Sequence, residues 1–91
     1  MQHYVLRLFV AGHSARSERA IANLREICEN DLGGHYELTV VDVLERPAVA
    51  EQEKVAATPT LIKVLPEPIR RIIGDLSDRD QVLVGLDLEV H

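Results

Sequence analysis

The stretch Tyr4–Val10 reads YVLRLFV and is apolar everywhere except at Arg7. A run of that length and composition is what a central strand buried on both faces requires. Ala11-Gly12-His13-Ser14 breaks it, and the apolar period then becomes helical. Ala20, Ile21, Leu24, Ile27, Cys28 and Leu32 form one stripe, with Glu18, Arg19, Arg25, Glu26, Glu29 and Asn30 off it. Ser14 is placed to cap the start of this helix. Gly33-Gly34 ends it, because glycine enters the left-handed region without a side-chain clash. Residues 36–43 alternate Tyr36, Leu38 and Val40 with Glu37, Thr39 and Val41, a second strand. Strand, helix and strand in this order make a βαβ unit, whose strands run parallel.

Pro47 fits the first turn of a short helix over residues 48–57, which Thr58-Pro59-Thr60 terminates. Residues 61–65 are a short strand. Pro66-Glu67-Pro68 is a turn, because proline forces its predecessor out of the helical region. Residues 69–73 form another strand, and Gly74-Asp75 turns the chain again. The C-terminal stretch supports two periods with the same residues. Val82, Val84, Leu86, Leu88 and Val90 alternate as in a strand, while Leu76, Leu83, Leu86 and Val90 fit a helical stripe capped by Ser77, with Asp78 and Asp80 in its first turn. Such a double pattern marks either an undecided helix or two packings of similar energy.

Several function classes are excluded on composition. The net charge of −5 opposes nucleic acid, which needs a concentrated positive field, and Arg70-Arg71 alone reads as a solvated element end. No apolar run approaches the ~20 residues that span a bilayer, and the residues from Met1 to Tyr4 do not read as a secretory signal, so the expected compartment is the cytoplasm. Cys28 is the only cysteine, so no disulfide can form within the chain. His3, His13, His35 and His91 show no metal-ligand spacing and read as exposed loop or terminal residues. No phosphate-binding glycine loop is present. Ser14, Ser17 and Ser77 read as capping residues, and Asp42 and Asp75 are isolated, so no catalytic constellation emerges. No cofactor is implied.

The element order β-α-β-α-β-β-α is that of the thioredoxin fold, and Thr58-Pro59 stands where that fold places a cis-proline. A thioredoxin enzyme needs a thiolate at the start of its first helix. Here that position reads Gly12-His13-Ser14-Ala15. Cys28 lies three turns further on, within the apolar stripe, where a buried and inert thiol is expected. Binding another protein is the remaining task.

The runs Leu8-Phe9-Val10-Ala11-Gly12, Val41-Asp42-Val43-Leu44 with Pro47 after it, Ala57-Thr58-Pro59-Thr60-Leu61, Lys63-Val64-Leu65-Pro66, residues 68–77 and residues 82–88 resemble the KaiB family of circadian clock proteins over nearly the whole chain. The resemblance implies a single domain over residues 1–91 without enzymatic activity. It implies a KaiC-like ATPase and autokinase as partner, bound on the N-terminal lobe of its ring. It also implies self-association as a tetramer or dimer, and a fold switch. The thioredoxin-like state would bind the partner, while the C-terminal half of a tetrameric ground state would pack as β-α-β-β-α-α-β. Pro59, Pro66 and Pro68 lie in the segment that changes. Gly85 and Asp87 match positions whose substitution biases the fold, and Gly85→Ala is expected to favour the helix by up to ~1 kcal/mol. Tyr4, Arg19 and Lys54 match candidate partner-binding positions.

Two departures from the cyanobacterial pattern stand out. The chain stops at His91 where those members carry an acidic tail. Glu37 and Thr39 occupy a second strand that is basic in them, which leaves KaiA, or a clock histidine kinase, open as a further partner. Two readings from other classes compete: a thioredoxin-like thiol oxidoreductase using Cys28, which requires an exposed thiol of low pKa, and a structural oligomer without a partner.

Overall fold

The computed structural model describes residues 3–87. Strand β1 (Tyr4–Val10) is internal, as its apolar run requires. Strand β2 (Tyr36–Asp42) pairs parallel to it, Tyr4 opposite Tyr36 and Val10 opposite Asp42. On its other side β3 (Thr60–Leu65) runs antiparallel, Phe9 opposite Thr60 and Leu8 opposite Leu61. Strand β4 (Arg70–Ile73) pairs antiparallel with β3, and the four-stranded order is β2-β1-β3-β4.

Helix α1 (Ala15–Asp31) is the crossover between β1 and β2. The Ser14 hydroxyl accepts from the Ser17 amide at 3.1 Å, and Gly33 and Gly34 stop the chain beyond the helix with φ of 59° and 80°. Its buried residues are Ser17, Ala20, Leu24, Ile27 and Cys28; of the expected stripe, Ile21 is only partly buried and Leu32 is buried just past the helix end. They pack with Leu6, Leu8, Leu61, Leu83 and Leu86 on one face of the sheet. Phe9, Val41 and Ile62 build a smaller core on the other face, against Val43, Val49, Val55 and Val64.

Helix α2 (Pro47–Gln52) is shorter than the helix-prone stretch predicts. The Lys54 amide bonds the Glu51 carbonyl at 3.1 Å and the Val55 amide reaches back to Ala50 at 2.9 Å, with Lys54 at φ 56°. These are the paired bonds of a left-handed helix stop, so α2 ends there despite the alanines that follow.

Within the described residues the C-terminal segment takes the helical period, as α3 (Arg79–Gly85) with Val82 and Leu83 buried. Its cap is Asp78, whose carboxylate accepts from the Gln81 amide at 3.1 Å, and not Ser77. The Ser77 amide is already bound to the Asp75 carboxylate at 3.1 Å, which holds Ser77 in the preceding turn. Leu88, Glu89, Val90 and His91, on which the alternative strand pattern partly rests, lie outside the described residues, as do Met1 and Gln2. No described helix is long and apolar enough to cross a membrane.

Candidate partner-binding surface

The end of the sheet where β1 gives way to α1 carries the loops in which a thioredoxin enzyme would hold its thiols. Asp42 ties them together. One carboxylate oxygen accepts from the Gly12 amide at 3.0 Å and the Leu44 amide at 2.9 Å. These backbone donors hold its carboxyl below the usual carboxylate range. The Ser17 hydroxyl donates to the Ala11 carbonyl at 3.3 Å and pins the same loop to α1. Thr58-Pro59 is cis, as its place in the fold predicts, and the Pro59 carbonyl accepts from Gly74 at 2.9 Å. A rigid, polar loop platform results, presenting Gly12, His13 and Ser14 and no thiol.

Cys28 is fully buried at the α1–sheet contact, and that burial, with Glu29 adding to it, pushes its pKa up to about 12. A thiol without solvent access and held protonated is no nucleophile at neutral pH. The oxidoreductase reading fails at its first requirement.

The three candidate contact residues separate. Arg19, on the exposed side of α1, sits 3.9 Å from the Asp75 carboxylate. The Ser77 side chain and amide hold the Asp75 carboxyl below its ordinary range, and the Asn23 amide group donates to the Asp75 carbonyl at 2.8 Å. Arg19 therefore stands on a braced junction between α1 and the β4–α3 turn. Lys54 is exposed at the helix stop after α2, on the opposite sheet face, and its carbonyl accepts from the Arg71 guanidinium at 3.3 Å. Tyr4 is only 6% exposed and packs in the α1-side core, opposite Tyr36 on β2.

The residues of the expected fold switch all lie after α2. Pro59 precedes β3, and Pro66 and Pro68 form the β3–β4 turn, where Leu65-Pro66 and Glu67-Pro68 are also cis. Gly85 is the last residue of α3, and Asp87 follows it at φ 57°.

Three functional features escaped the sequence reading. Asp42 and Asp75 looked isolated, yet each bonds the amide two residues on, the side-chain turn that aspartate makes after a strand. That spacing was readable. The Arg7–Glu53 ion pair at 2.7 Å, which closes α2 over the sheet, links residues far apart in sequence and had no local signal. Lys63 is 1% exposed on the α1-side face of β3, opposite Arg70. Burial pulls its ammonium pKa down, while Asp87 pulls it up.

Comparison with known proteins places this geometry. The KaiB domain family matches residues 7–88. The circadian clock oscillator protein KaiB of Prochlorococcus marinus (strain MIT 9312) is 60% identical over 85 residues, covering 93% of this chain and 81% of that one. The circadian clock protein KaiB3 of Synechocystis sp. (strain ATCC 27184 / PCC 6803 / Kazusa) is 54% identical over 88 residues, 97% of this chain and 86% of that one. Among solved structures, the N-terminal domain of Synechococcus elongatus SasA superposes with a TM-score of 0.76 at 25% identity, covering 96% of this chain and 86% of that one. Mitochondrial thioredoxin 3 from Saccharomyces cerevisiae gives 0.73 at 18% identity, covering 96% and 79%, a likeness of fold.

Proposed function

This chain belongs to the KaiB family, and on that premise we propose that it is a non-enzymatic regulatory protein that docks on the N-terminal ATPase lobe of a KaiC-like ring. In this reading it modulates the timing or phosphorylation cycle of the ring. The state described here is the binding-competent one, and the C-terminal half repacks in a self-associated ground state.

The observation that carries the reading is the platform at the end of β1. It keeps loops braced by Asp42 and Ser17 at the place where a thioredoxin holds its thiols, with Cys28 buried elsewhere, and this is the arrangement of a recognition surface. The likeness to the N-terminal domain of SasA supports the thioredoxin-like shape on which this docking surface is built. Arg19 and Lys54 are the proposed contacts. A fold switch fits the double period of the C-terminal sequence, and a rare competent state lowers apparent affinity by its population and slows binding.

Co-elution of this protein with a KaiC-type ATPase and ATP tests the reading. Arg19→Ala and Lys54→Ala are expected to reduce the complex while leaving the protein folded. Co-elution unchanged in both variants would remove these residues from the interface.

A further inference from the structure

The β4 edge of the sheet is built unlike the rest of the surface. Its outer backbone groups have no strand beyond them among the described residues, the arrangement that templates an added strand. Three of the large exposed apolar side chains lie on this hairpin: Leu65 at 47%, Ile69 at 59% and Ile73 at 65% exposure. The chain carries a net charge of −5, yet two exposed arginines, Arg70 and Arg71, stand side by side on β4. Arg70 lies on the α1-side face, opposite the buried Lys63. Arg71 lies on the α2-side face and donates to the Glu53 and Lys54 carbonyls.

We propose that the β4 edge binds an extended segment of a partner protein carrying adjacent acidic residues flanked by apolar ones, which adds to the sheet as a fifth strand. Main-chain bonds to the open edge would supply affinity, and the side chains would set the choice of partner. Arg70 and Arg71 point to opposite faces, so consecutive acidic residues, which also alternate faces, match both cations. Apolar neighbours of that pair would cover Ile69 and Ile73. A second copy of this chain does not fit. Two-fold pairing of β4 with β4 would gather four arginines on one short strand pair, and like charges across strands repel. The β2 edge offers no such match, since Glu37 and Asp42 are acidic. The proposal stands apart from ring docking, and its test contains no ATPase.

The probe is the peptide acetyl-Ser-Val-Ile-Glu-Asp-Val-Ser-amide, titrated into the isotope-labelled full chain and followed by amide shifts. Saturable shifts centred on residues 69–73 are expected, weakened about tenfold or more by Arg70→Glu and by raising salt to about 0.5 M. Among the described residues Arg70 bonds the adjacent Ile69 carbonyl and no other group, so its replacement leaves the packing intact, and Arg70→Gln supplies an intermediate loss. A control peptide with two lysines replacing Glu-Asp is expected not to bind. The proposal is overturned by equal binding of the control, by shifts confined to residues 36–42, by no shift at all, or by sedimentation showing dimers that Arg70→Glu dissociates.

Discussion

A β-carbon placed on Gly85 would stand 2.7 Å from Cδ1 of Ile72 and 3.2 Å from its Cγ1. Glycine at the end of α3 thus does more than lower helix propensity. It leaves the space into which β4 projects an isoleucine, at the contact where α3 meets the sheet. The expectation that Gly85→Ala simply favours the helix has to be revised. The gain of up to ~1 kcal/mol is set against displacement of the Ile72 side chain, of about 0.5–1.5 kcal/mol if it leaves its rotamer.

The first prediction follows from that opposition. Gly85→Ala alone is expected to change unfolding free energy by less than about 1 kcal/mol. In an Ile72→Val background, which lacks Cδ1, the same change should stabilise by about 1 kcal/mol. A double-mutant cycle in denaturant measures the coupling. Strict additivity would show that the contact is relieved without strain.

Lys54 combines a backbone role with a proposed contact, and two substitutions separate them. Lys54→Gly removes the side-chain penalty at φ 56° and is expected to stabilise by about 0.5–1 kcal/mol, net of the added freedom of the unfolded chain. Lys54→Asn tolerates the left-handed conformation while removing the charge. If Lys54 is a contact, both variants lose partner binding whatever their stability, as read by co-elution alongside denaturant unfolding. Full binding by Lys54→Asn would assign the position to the helix stop alone.

Asp42 gives the fold an acid-sensitive joint. Its folded pKa is lowered by the Gly12 and Leu44 amides, so the unfolded chain binds the proton more readily. The stability it contributes is present above the ordinary aspartate value of ~3.9 and is lost as pH falls through the lower folded value. Asp42→Asn is therefore expected to be less stable than the wild type at pH 6, with the two converging in strong acid. Thermal unfolding across pH checks this. A constant gap would mean that the carboxylate charge adds nothing beyond the amide-accepting oxygen.

With its pKa pushed up to about 12, Cys28 holds about one part in ten thousand as thiolate at pH 8. Alkylation of the folded protein should be at least about a thousandfold slower than that of a free thiol, and denaturant should abolish the difference. Rapid labelling of native protein would reopen the oxidoreductase reading.

Much of this architecture was legible in the chain because the decisive signals are local. The apolar run at Tyr4, the stripe of α1, the Ser14 cap and the Thr58-Pro59 step each follow from short-range sequence. What escaped is non-local or conformational. Lys54 stops α2 by adopting a backbone state that lysine seldom takes, so the alanines beyond it misled. Ser77 lost its cap to Asp78 because Asp75 had already bound its amide. Arg70-Arg71 are exposed on β4, as the reading of a solvated element end expects, while the open edge and the exposed isoleucines beside them belong to the folded sheet.

Native mass spectrometry of this protein with a KaiC-type ATPase and ATP, sampled over hours, tests the central claim most directly. The predicted result is gradual appearance of a ring carrying several copies, with a lag that shortens in variants biased toward the thioredoxin-like state. Absence of any complex, whatever nucleotide is supplied, would contradict it.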